Sequence, residues 1–160
     1  MFSLIERHRR AFSLIELVIV VVIIGILAAI AVPRMSRGAS GAADSALSAN
    51  LAVLRNGIDL FQTEHGGTYP ALADVDKALT QYSNITGTTF GARDVATGVI
   101  YGPYVRTLPA LPVGGEKGKT TFIDTQKAGY GWVYDAATGA IKANCPDAEV
   151  DARGVKYNTY

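Results

Sequence analysis

Residues 9–33 read RRAFSLIELVIVVVIIGILAAIAVP, and one residue in that stretch looks out of place. Leu17 to Val32 is apolar or glycine at every position, and Phe12 to Ile15 is nearly so. Glu16 stands between them, a carboxylate at the mouth of a segment long enough to cross a bilayer as a helix. Its Val and Ile residues favour strand in water, but a lone strand in lipid leaves its backbone unpaired, so the segment reads as helix. A charged group inside a membrane costs about 2.5–3.5 kcal/mol at mid-bilayer on insertion scales, less near an interface, which makes Glu16 a functional candidate.

Working outward, Arg7, Arg9 and Arg10 precede the apolar run, and the rest of the 160 residues carries 12 basic against 13 acidic side chains. The basic side of a span faces the cytoplasm, so the N-terminus is expected there and the C-terminal part outside it. Arg34 and Arg37 also flank the segment, so the argument rests on the denser N-terminal cluster. The small net charge of +1 offers no basic field for nucleic acid.

Three processing readings compete. A secretory signal would be cut after Ala29-Ile30-Ala31, an A-x-A site; a plain anchor would stay whole; a prepilin leader would be cut ahead of the apolar run. An acid at the start of the core serves neither of the first two. The stretch AFSLIELVIVVVIIGILAAIAVP resembles the N-terminus of type IV pilins and type II secretion pseudopilins. That resemblance implies a leader of residues 1–11, cleavage between Ala11 and Phe12 by a prepilin peptidase, and N-methylation of Phe12. Ala11 stands where the family usually has Gly. The resemblance further implies that Glu16 neutralises the amine of a neighbouring subunit's Phe12 during assembly. An acid in the first turn also complements the helix dipole, and both effects can operate together.

Residues 12–35 are expected to form the transmembrane, filament-core helix, with a kink at Pro33, which frees the carbonyl of Ala29. Residues 36–65 continue as an amphipathic helix, because Leu47, Leu51, Leu54, Ile58 and Phe61 recur at spacings of four and three. One helix from Phe12 to His65 would span roughly 80 Å. Ser36 to Gly41, all small apart from Arg37, offer a place for a break, and Gly66-Gly67 stop the helix.

Residues 66–160 form the expected head. Asp74–Tyr82 reads as a short helix, Ile85–Val99 as loop with a weak strand, and Thr120–Asp124 as weakly alternating. GYGWVYDAATGAIKAN, residues 129–144, is a hairpin turning through Asp135–Gly139. Trp132 and the tyrosines should cover the helix stripe. The tail from Pro146 is polar and expected to be loose. GGTYPAL and GPYV with the following prolines resemble pseudopilin segments. The fold is therefore expected to be α+β and pilin-like, a long N-terminal helix packed on a small antiparallel-sheet head.

No catalytic site emerges, and the chain is read as a structural protein rather than an enzyme. His8 and His65 complete no triad, no zinc spacing exists, and Gly118-Lys119-Thr120 lacks the glycine a phosphate loop needs at Val113. Asn84-Ile85-Thr86 is a formal glycosylation sequon of little weight. Major pseudopilins often bind calcium in C-terminal loops. Asp147, Glu149 and Asp151 alternate here, but the usual loop motif is not reproduced, so no cofactor or metal is expected and a solvated acidic tail is. Cys145 is the lone cysteine and cannot supply the C-terminal disulfide of many type IV pilins, which tilts the reading to the pseudopilin side.

The expected function is a filament subunit held in the inner membrane by one span, with its C-terminal domain in the periplasm. A type II secretion pseudopilin supporting protein export leads. A type IV pilus subunit is the alternative, followed by an exported soluble protein with an ordinary signal. The resemblance implies a homo-oligomeric filament, the prepilin peptidase, a cytoplasmic ATPase and a membrane platform protein as partners.

Overall fold

The computed structural model describes residues 12–160, apart from the side chains of 32–39. The leader with Ala11, and the Pro33 side chain, therefore lie outside the described residues. The chain divides into two compact units, one ending at Gly38 and the other spanning Ala39–Tyr160. Helix α1, Leu14–Glu64, is assigned as helix through every position between, so the small residues 36–41 do not interrupt it.

In the first unit, Leu14–Ala31 is the one stretch among the described residues long and apolar enough to cross a membrane, and none of it is buried within the chain. Its Leu, Ile and Val side chains are exposed on all sides. Such a surface is stable only in lipid or against other protein.

In the second unit the rear of α1 is one-sided. Leu47, Leu51, Leu54 and Ile58 are fully buried and Phe61 nearly so, which is the stripe that the four-and-three spacing predicts. Gly66 and Gly67, at φ of 65° and 89°, end the helix with the Gly67 N–H returning to the Gln62 carbonyl at 2.8 Å. His65 is buried at this end, stacked on Phe61 at 3.7 Å, with its Nε2 2.9 Å from Ser83 Oγ.

Helix α2, Val75–Thr80, buries Val75, Ala78 and Leu79. Strands β1, Tyr82–Ser83, and β2, Phe90–Gly91, form an antiparallel pair. A second sheet holds β3, Phe122–Ile123, β4, Trp132–Tyr134, and β5, Ile141–Ala143, in the order β3-β4-β5. The hairpin β4–β5 falls within the expected residues, with Val133 opposite Lys142. The arrangement is α+β. The sheet differs from expectation in one respect: β3 runs parallel to β4, so it is mixed rather than antiparallel. The cause is local. The N–H groups of Gly131 and Trp132 both donate to the Thr121 carbonyl, at 2.9 and 3.0 Å, and this draws the chain back alongside itself. Gly131 permits the approach, since a Cβ there would lie 2.3 Å from the Lys119 carbonyl oxygen.

Trp132 and Tyr134 are fully buried and join the cluster around Leu47, Leu51, Leu54 and Ile58. Their polar atoms find partners as they must: Trp132 Nε1 donates to the Pro109 carbonyl at 3.0 Å and the Tyr134 hydroxyl to the Pro70 carbonyl at 2.9 Å.

The tail after Pro146 is not loose. It carries a Val150–Lys156 bridge and a short 3-10 helix, Tyr157–Thr159. The Tyr157 hydroxyl donates to Asp44 Oδ1 at 3.0 Å, and Arg55 donates to the carbonyl oxygens of Ile141 and Tyr160 at 3.2 and 2.6 Å. Composition suggested mobility because its polar residues look solvated; instead they bond to one another and to α1.

Truncating Leu54 to Ala removes a fully buried side chain and should cost about 2–5 kcal/mol. The same change at Leu60, 51% exposed, should stay within about 0.5 kcal/mol. Denaturant unfolding of the full chain in detergent, followed by Trp132 fluorescence, measures both.

Candidate processing and assembly site

Helix α1 starts at Leu14, leaving its first backbone N–H groups without intrahelical partners. Ser13 precedes it in the cap position, and Glu16 is the acid of the first turn. Glu16 Oε2 accepts a hydrogen bond from the Ser13 backbone N–H at 2.9 Å, the reach-back half of a capping box. The capping reading of Glu16 is therefore observed.

Phe12 and Leu14 are both 81% exposed among the described residues. The site thus presents an exposed aromatic at the helix start and a carboxylate satisfied by a single backbone donor. A carboxylate has about four acceptor positions. In water the remainder are hydrated; in an apolar surrounding they call for a cation or further donors. Cleavage at Ala11–Phe12 would create such a cation four residues from Glu16.

Of the three acids in the tail, Asp147 stays exposed, as a solvated stretch would have it, and Asp151 does not. Asp151 is buried and its carboxylate accepts from the N–H groups of Arg153 and Val155, from Arg153 Nε and from the Tyr160 hydroxyl. These bonds, the Tyr160 hydroxyl foremost, hold its carboxyl well below the usual carboxylate range. Asp147 is also lowered, by bonds from Lys156 and Asn158. Glu149 Oε1 accepts from the Gly115 N–H at 2.8 Å, while its Oε2 is buried without a partner.

Cys145 is buried, and burial pushes its thiol up to about 12, with the Glu149 carboxylate adding to the rise. Such a thiol is a packing group, not a nucleophile. Asn84 of the sequon caps a turn, its Oδ1 accepting from the N–H groups of Thr88 and Thr89 at 3.0 and 3.2 Å. Gly118 and Lys119 close a turn onto the Leu111 and Glu116 carbonyls.

Sequence reading missed Asp44, Arg55 and Asp151 as tail anchors. Asp44 and Arg55 stood out only as charges off the apolar stripe. For Asp151, the residues two and four positions on gave the available hint, since a short acid can bond backbone N–H groups just ahead of it.

Residues 7–32 match the family model of the prokaryotic N-terminal methylation motif, the prepilin-type leader of type IV pilins and pseudopilins. Comparison with curated proteins and with solved structures gave no match. The motif implies processing by a prepilin peptidase and filament assembly, and it supports a pilin-like or pseudopilin subunit in which α1 anchors the chain in a membrane.

Since the folded value of Asp151 is depressed, its contribution to stability is present above the ordinary carboxylate range of about pH 4 and is lost as pH falls further. Thermal melts of the full chain between pH 7 and pH 3 should show wild type losing stability steeply at the acid end. Asp151→Asn should start lower at pH 7 and fall less steeply.

Proposed function

We propose that this chain is the structural subunit of a pilus-like filament, and within that class a type II secretion pseudopilin that polymerises at the inner membrane to support protein export. The observation that carries the reading is a prepilin-type motif at residues 7–32 that includes an apolar helix, Leu14–Ala31, of which nothing is buried among the described residues. Cleavage falls between Ala11 and Phe12, and the hydrophobic helix stays on the mature protein. The span waits in lipid with the N-terminus cytoplasmic and the second unit on the periplasmic side. Assembly then exchanges lipid for the same helix surface of other copies. That contact joins different faces of identical subunits, so it does not close and yields a fibre.

Glu16 acts in both settings. In the waiting subunit it holds the Ser13 N–H. In the filament the methylated amine of a neighbour's Phe12 gives it a counter-charge, and only one axial stagger brings the two together. An unmatched carboxylate in an apolar bundle is expensive, so the pair sets the register. Pro33 offers a weak point in the ladder of α1 hydrogen bonds where the helix can yield during extraction. The force comes from a cytoplasmic ATPase acting through a membrane platform protein.

The second reading is a type IV pilus subunit. The lone Cys145, buried and unable to form an internal disulfide, favours the secretion assignment. Deleting the gene separates the two: loss of exoprotein export supports the first, loss of surface fibres and twitching the second.

Mass analysis of the mature protein should give an N-terminus at methylated Phe12; a start at Val32 would mark an ordinary secretory signal and end the filament reading. Glu16→Ala should insert into the membrane at least as well as wild type, since it removes a charge costing up to about 2.5–3.5 kcal/mol in lipid. It should nonetheless form no filaments by electron microscopy, and normal fibres would remove the register role.

A further inference from the structure

We infer that the C-terminal segment of the second unit is closed by its own side chains, with Asp151 as the hub, and that its stability does not depend on calcium. A calcium ion needs six to eight oxygen ligands converging at about 2.3–2.6 Å, with carboxylates supplying free lone pairs. Two of the three acids of this segment, Asp151 and Asp147, do the reverse. Asp151 Oδ1 accepts from the N–H groups of Arg153 at 2.7 Å and Val155 at 2.8 Å. Asp151 Oδ2 accepts from Arg153 Nε at 2.9 Å and the Tyr160 hydroxyl at 2.6 Å. Its side chain is wholly buried. All of the roughly four acceptor positions of a carboxylate are thus filled by the protein.

Asp147 is likewise engaged on both oxygens, by Lys156 Nζ at 2.6 Å and Asn158 Nδ2 at 2.8 Å. Of the three acids, Glu149 alone keeps an oxygen without a partner, Oε2, so together they offer one buried free carboxylate oxygen. Among the described residues no three His, Cys, Asp or Glu side chains gather where an ion could sit.

The positive charge that a cation would bring is present covalently. Arg153 supplies it to Asp151, and Lys156 to Asp147. To ligate a metal through either oxygen, Asp151 would have to give up hydrogen bonds to that oxygen within a buried setting, where an unmade bond is costly. The same segment carries the Tyr157–Asp44 bond and receives Arg55 at Tyr160, so the clasp also fixes the tail on α1. This inference is independent of whether the chain polymerises.

The test is thermal melting of the full chain in detergent micelles, read by the fluorescence of Trp132, with excess EDTA and with calcium chloride. The wild-type midpoints should coincide. Asp151→Asn should lower the midpoint by at least about 5 °C, equally in both conditions. If that variant does not fold, Arg153→Ala, which removes one of the four donors, should show a smaller drop, again the same with and without calcium. A wild-type midpoint raised by calcium overturns the inference, and so does a variant whose melting matches wild type.

Discussion

An apolar helix left exposed among the described residues is the constraint from which the rest follows. Leu14–Ala31 exposes Leu, Ile and Val on every side. Water is a poor solvent for such a surface, and the second unit has a complete core of its own in Leu47, Leu51, Leu54, Ile58, Trp132 and Tyr134. The two units therefore divide the work. One is folded by burying its own side chains, while the other is satisfied only by what surrounds it, whether lipid or sister helices.

What the sequence made legible was whatever repeats along a single element. The apolar run, the four-and-three stripe from Leu47 to Phe61, the stop at Gly66-Gly67 and the hairpin around Asp135–Gly139 are all local periodicities, and all four appear in the structure. The buried Trp132 followed from size and amphipathic character. The cap formed by Ser13 and Glu16 was within reach too, because both partners lie within one turn.

What stayed hidden depends on partners distant in sequence. The parallel pairing of β3 with β4 arises from two N–H groups converging on the Thr121 carbonyl, and nothing in the weak alternation of 120–124 announces it. The order of the tail rests on Tyr157 meeting Asp44 and Arg55 meeting Tyr160, pairs about a hundred residues apart. Read along the chain, Asp147, Glu149 and Asp151 are simply three alternating acids; folded, they occupy three different settings, one buried and saturated, one ion-paired, one half-used.

The cap at the start of α1 has a genetic consequence. The group that Glu16 grips belongs to the main chain at position 13, so exchanging the serine for almost any other amino acid leaves the grip intact. Proline, which lacks that hydrogen, is the exception. Natural variation at position 13 is in this respect silent, and the burden of preserving the contact falls on the acid alone.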